Sequence, residues 1–260
     1  MHANRSIIHA FIAVFTVSTA SAQDEPATPG FDRPGLLFAT DTVPAGRFVL
    51  EQGLADVAHD ETGDVDVTSV TLGTLLRYGF ARDWEFQAGL APLARLEVDA
   101  PGNDFSETGQ TDLRLGVKHR LGGGFGEALG GADVAFLGGV TLPTGDDAFS
   151  ADDEVVDLGL TANWALDRPG TSIGALAQVT TGGGSDDLLL AGAYSAPLSG
   201  SAGYYLEAGL TLGDSDGTVL GGGLAWTPWR DTQLDVYGLA GVSGDAPDLQ
   251  AGLGFSWFFR

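Results

Sequence analysis

The sequence predicts an all-β chain, an antiparallel up-and-down transmembrane β-barrel of about 12 strands of the outer-membrane type. Three observations predict it. Apolar and polar residues alternate with period two along twelve runs, polar loops alternate with tighter turns, and the tryptophans gather at one end of the runs.

Composition narrows the function classes first. The chain has 260 residues, 43% of them hydrophobic, and 40 are glycine, about twice the usual share. A formal net charge of −23 argues against phosphate or nucleic-acid partners, which need clustered Lys and Arg. With no cysteine there is no disulfide scaffold, no thiol catalysis and no thiolate-bound zinc.

Residues 1–22 carry Arg5, an apolar stretch from Ile7 to Val17 and the small residues Ala20-Ser21-Ala22. That is the layout of a secretory signal peptide, too short in its apolar part to span a bilayer as a helix. Export to the outer membrane of a Gram-negative bacterium is the expected localisation. Residues 23–45 contain Pro26, Pro29, Pro34 and Pro44 around one apolar patch, Leu36-Leu37-Phe38. A Pro-rich terminus defaults to a periplasmic tail, while the patch would let it fold into the lumen as a plug.

The barrel is expected over 46–260. Its runs lie near 46–58, 68–80, 84–93, 111–121, 132–142, 154–166, 171–180, 187–196, 203–212, 218–226, 232–242 and 248–259. The fourth shows the pattern well: Leu113, Leu115, Val117, His119 and Leu121 face one way, and Asp112, Arg114, Gly116, Lys118 and Arg120 the other. In the last, Leu249, Ala251, Leu253, Phe255, Trp257 and Phe259 share a face. Odd-numbered connections hold 19 acids against one base, Arg95, and even ones are mostly short and nearly neutral. This parity puts the acidic loops outside the cell. Trp84, Trp164, Trp226, Trp229 and Trp257 all fall at the opposite end, where a periplasmic aromatic girdle belongs. A soluble β-sandwich would alternate too, but would hide its aromatics in a core.

Several stretches carry a family resemblance: GFDRPGLLFATDTVPAGRFVLEQGL, LLRYGFARDWEFQAGL, TDLRLGVKHRL, LGGVTLPTGDD and SGDAPDLQAGLGFSWFF. In this order, from about residue 30 to the C-terminus, they resemble the outer-membrane family called MetA-pathway of phenol degradation. The resemblance implies a barrel transporter for small organic compounds, aromatic ones among them. Barrels of this kind usually end in a lipid-facing aromatic, whereas this chain ends Phe258-Phe259-Arg260.

If the polar face lines the lumen, Arg77, Glu85, Asp112, Arg114, Lys118 and Arg120 are the candidates for a charged constriction that sets selectivity. The same residues would equally serve as cross-lumen ion pairs. Glu51, Asp157, Glu207 and Asp235 are further lumen acids. In the outer loops, Asp146, Asp147, Asp152 and Asp153, and the 60–66 stretch, are weak candidates for divalent cations, set against a merely solvated acidic rim. No cofactor motif occurs: the glycine runs carry no Lys and are expected to open no helix. Catalysis is not expected, because His119 has Val117 and Leu121, not serine, two residues away on its strand. The expected partners are outer-membrane lipid and a small-molecule permeant. The ranking is channel, then closed structural barrel with cation-binding loops, then lipid-modifying enzyme.

Overall fold

A computed structural model describes residues 26–260; the signal-peptide assignment lies outside them. Twelve antiparallel strands close into one barrel. In chain order they are β1 (Phe48–Thr62), β2 (Val65–Thr71 and Thr74–Ala81), β3 (Trp84–Leu90 and Ala94–Asp99) and β4 (Phe105–Gly109 and Leu113–Leu121). Next come β5 (Asp133–Leu142), β6 (Val155–Ala165), β7 (Ser172–Gly182) and β8 (Ser185–Pro197). The last four are β9 (Ala202–Gly213), β10 (Gly217–Trp226), β11 (Thr232–Gly244) and β12 (Leu249–Phe259). Each pairs with its sequence neighbours, and β12 closes on β1 from Phe48↔Phe259 to His59↔Leu249. Closure leaves no unpaired edge in the barrel proper, where a strand in hydrocarbon could not tolerate one; the one edge, Phe105–Gly109, lies above it.

The outer face is apolar and open. Leu158, Val179 and Leu206 are 53%, 51% and 59% exposed, because their surroundings are lipid and not protein. Aromatic rings cluster at the end that carries both barrel termini. Trp84 stacks on His119 at 3.9 Å, Phe48 on Tyr78 at 4.5 Å, and Trp257 on Phe259 at 4.5 Å. His119 therefore belongs to the girdle, its Nδ1 bonded to the Asp83 carbonyl at 2.8 Å.

Three features differ from the sequence expectation. The stretch after Leu93, expected as a loop, continues as strand on both sides of Ala100–Asp104, so β2, β3 and β4 rise past the barrel proper. The apolar stripe fades there because both faces meet water, and Pro92 interrupts the run. All three strands break at one height, near Leu72-Gly73, Ala91–Leu93 and Gln110–Asp112. The Gln52 side chain bridges the first break, donating to the Gly53 and Gly73 carbonyls at 2.8 and 3.2 Å. Finally, the glycine-rich connection after β4 does open a helix, the short α1 (Gly123–Ala128), closed by the Leu129 and Gly130 N–H groups on the Gly126 and Glu127 carbonyls.

Candidate functional site: the lumen

Residues 26–47 run inside the barrel. The segment starts beside the C-terminal residue, where Arg260 donates to the Pro26 carbonyl at 2.8 Å. It climbs to a tip at Pro34-Gly35-Leu36 and descends to Val43, whose N–H donates to Glu85 at 2.8 Å. Two kinds of contact hold it. Its apolar patch, Leu36-Leu37-Phe38, packs on Leu137, Leu176, Leu189 and Ala191, inward-facing residues of β5, β7 and β8. Its charged pair, Asp32-Arg33, plugs into lumen groups on opposite walls.

Along β1–β6 the wall is an ionic network. The Arg77 guanidinium donates to Glu85 Oε1 and Oε2 at 2.8 and 3.0 Å, to Glu51 Oε1 at 2.8 Å and to the Gly30 carbonyl at 2.9 Å. Lys118 Nζ donates to both Asp32 oxygens at 2.6 and 2.9 Å. Gln87 joins Asp32 and Glu85 at 3.0 and 2.8 Å, and Arg114 makes a two-pronged pair with Asp157 at 2.7 and 2.6 Å. Arg77, Lys118, Glu51 and Glu85 are completely buried. Paired and hydrogen-bonded on every side, these charges meet the condition under which burial is tolerable.

Along β8–β12 the wall is different. Inward positions alternate between long side chains and glycine: Tyr205 lies opposite Gly223, and Tyr237 opposite Gly223 and Gly252. A Cβ on Gly223 would collide with the Tyr205 ring, and one on Gly254 with the Arg33 guanidinium. The glycines thus let large groups lie flat on the wall. Arg33 bonds Asp56 at 3.1 and 3.0 Å and Asp235 at 3.3 Å. The tip leans on Glu207, whose Oε2 accepts the Leu36 N–H at 2.8 Å. Gly35 has φ +100°, and a Cβ there would sit 2.7 Å from that carboxylate, so only glycine turns the chain here.

Two cavities flank the tip. One of about 420 Å³ lies toward the short turns, bounded by the segment and by β6–β9 with Gln233. Another of about 180 Å³ lies on the other side of Pro34, against Tyr237, Leu239 and Gln250.

Four of the sequence candidates, Arg77, Glu85, Arg114 and Lys118, come together in the lumen, and two do not. Asp112 stands at the outer mouth, where its carboxylate accepts the N–H groups of Thr144, Gly145 and Ala151 at 3.0, 2.8 and 2.9 Å. It folds the loop over 143–154 instead of lining a constriction. Arg120 stands at the opposite rim, 41% exposed on its side chain, paired with Asp133 and Asp41. Both share the polar face of β4, but Asp112 lies at its break and Arg120 near its last residue, which alternation cannot register.

Among the described residues, Asp146, Asp147, Asp152 and Asp153 are not gathered into a metal-ligating group: Asp146 instead accepts the Gln110 N–H at 2.8 Å, and His59, Glu61 and Asp66 have ligand atoms within 4.8 Å of one another. Sequence reasoning missed Asp32 and Arg33 as lumen residues, and it missed Tyr205. The last was legible, since period two puts it on the face of Glu207.

The fold has relatives among solved structures. The COG4313 outer membrane channel from Pseudomonas putida F1 superposes with a TM-score of 0.64 at 14% identity, covering 85% of this chain and 98% of that one. The translocator domain of the autotransporter NalP from Neisseria meningitidis gives 0.51 at 14% identity, covering 85% and 91%. No curated protein matches the sequence. The model of the family described as putative MetA-pathway of phenol degradation matches residues 31–259, a span that takes in most of the lumen segment as well as every strand, and the chain belongs to that family.

Proposed function

We propose that the protein is an outer-membrane channel for small molecules, narrowed by its own N-terminal segment and selective for cations. The observation that carries this reading is the pair of cavities on either side of Pro34, at the tip of the segment. A barrel built only as a scaffold would gain from filling that space. The tip rests on one backbone hydrogen bond and side-chain packing, contacts that a permeant can displace.

The sign of selectivity follows from the pairing. Arg77, Arg114 and Lys118, the basic strip of the lumen, are each neutralised by Asp32, Glu51, Glu85 or Asp157. Arg33 is the one base paired with Asp56 of β1 and Asp235 of β11, and Glu207 of β9 meets no Arg or Lys among the described residues. The open side of the lumen is therefore negative, and the acidic outer loops add to the same field. The permeants this lumen suits are small organic molecules. Localisation in the outer membrane and the absence of catalysis belong to the same reading: His119 is spent on the girdle.

A second reading, a closed structural barrel, draws support from the saturated network on β1–β6. Planar-bilayer recording in a KCl gradient separates the two. The channel reading expects small discrete steps with a reversal potential of cationic sign, and steps several-fold larger in Asp32→Ala, which frees the segment from Lys118. Heat-modifiable, inserted protein without steps in either form would overturn it.

A further inference from the structure

The cavity of about 420 Å³ beside the lumen segment has an unusual lining. Phe31, Leu37 and Phe38 of the segment give it an apolar side. Among the described residues no Lys, Arg or His lines it, while Glu207 and Asp41 do. Glu207 is only 6% exposed, and one of its oxygens, Oε1, has no hydrogen-bond partner among the described residues. Tyr205 lines the same cavity, and its hydroxyl, which lies against Gly223, is a second buried polar group without a partner among the described residues. Ser195 and Asn163 supply further polar atoms around the opening.

A buried carboxylate oxygen left unpaired is costly, and natural interiors seldom leave one so. Asp235 also keeps one bare oxygen but holds Arg33 with the other, and the carboxylates of the ionic network are matched to Arg or Lys, whereas Glu207 has only the Leu36 N–H among the described residues. The cavity falls in the size range of small-molecule sites, which pair an apolar lining with a few placed polar groups. Its charge excludes anions. The donor it lacks is one that a ligand would bring.

We propose that this cavity is a binding site for a small organic cation, with its ammonium group on Glu207 Oε1 and the Tyr205 hydroxyl. The apolar body of that cation lies against Phe31, Leu37 and Phe38. Because Glu207 Oε2 holds the Leu36 N–H, the same carboxylate touches the ligand and the tip of the segment. A ligand there competes for the group that seats the tip. The inference rests on the channel reading in taking the cavity as a station on the permeation route, and it names the class of permeant.

The test is calorimetric titration of the full barrel, refolded in micelles, with 2-phenylethylamine, 2-phenylethanol and 3-phenylpropionate. The amine is expected to bind with one-to-one stoichiometry, at least tenfold tighter than the alcohol, and the acid not to saturate. Glu207→Gln is expected to weaken the amine at least tenfold and leave the alcohol unchanged. Equal affinity for amine and alcohol, or amine binding untouched by that substitution, would overturn the proposal. If Glu207→Gln does not fold by heat-modifiable mobility, Ser195→Phe gives the same decision, since it fills the cavity and leaves the carboxylate intact: retained amine binding overturns the site. Conductance recorded on the same preparations separates the two ideas. Steps without amine binding sink the site and spare the channel; amine binding without steps does the reverse.

Discussion

The two walls of the lumen solve the same problem in opposite ways. Along β1–β6 the chain buries Arg77, Lys118, Glu51 and Glu85 completely and gives each several partners. Along β8–β12 it buries fewer charges, spaces them with glycines and leaves Glu207, Asp235, Tyr205 and Ser256 each with an unpartnered polar atom. Removing one member of a saturated network strands the rest, so the first wall is an anchor that resists change. The second wall keeps space and polar capacity in reserve. The lumen segment touches both, with Asp32 on the anchor and Leu36 on the open wall. One side holds the segment through fully buried ion pairs, and the other through Asp235, Gln233 and Glu207 with open space beside the tip.

The comparison breaks first at Arg77. Arg77→Met would leave Glu51, Glu85 and Asp32 facing one another with Lys118 as the remaining cation, at a cost of about 3–5 kcal/mol. Glu207→Gln on the open wall should cost within about 1 kcal/mol, since the amide keeps an acceptor for the Leu36 N–H. Urea titration followed by heat-modifiable gel mobility measures both. Equal losses would mean that the walls do not differ.

Gly35→Ala sharpens the same contrast at the tip. A side chain at φ +100° beside the Glu207 carboxylate should cost about 1–3 kcal/mol if the tip stays seated. The open wall offers a cheaper answer, which is to unseat. Single-channel steps should therefore grow in this variant while the urea midpoint falls less than in Arg77→Met. A large stability loss with unchanged steps would show that the tip is as fixed as the anchor.

How much of this was legible in the sequence follows from what constrains each part. Lipid on one side and a polar lumen on the other force a two-residue period, so the strands, their parity and the girdle at Trp84, Trp226 and Trp257 could be read directly. Above the membrane both faces meet water, the constraint lapses, and Ala94–Asp99 passed for loop. Face assignment put Arg77, Glu85 and Lys118 into the lumen. Depth along the strand is not encoded in alternation, so Asp112 and Arg120 were grouped with them although they lie at the two mouths. The segment was the least legible part. Its anchors are contacts across long stretches of chain, such as Asp32 with Lys118, 86 residues apart, and nothing local in a Pro-rich run distinguishes a lumen ligand from a solvated tail.

The smallest effect lies where the segment enters. Arg260 bonds Asp231 at 2.7 Å, and both hold Thr28, whose hydroxyl donates to Asp231 Oδ1 at 2.8 Å. The hydrogen bond from Arg260 holds the Asp231 carboxyl below the usual carboxylate range; burial opposes this more weakly, and the Thr28 hydroxyl adds to the lowering. A group lowered in the folded state stabilises fully above its unfolded value, about 3.9, and that contribution is lost as pH falls through the folded one. The clamp should thus be closed at neutral pH and open only under acid stress. Because the chain has no cysteine, Ala27→Cys gives a single site for a mobility probe. The label should be restrained at neutral pH and loosen below about pH 4. Adding Arg260→Ala should loosen it at neutral pH and erase the acid step, with a stability change of about 1 kcal/mol for a half-buried pair at the rim. An acid step that survives Arg260→Ala would move the pH response away from this clamp and into the lumen, where the anchoring carboxylates of β1–β6 would have to supply it.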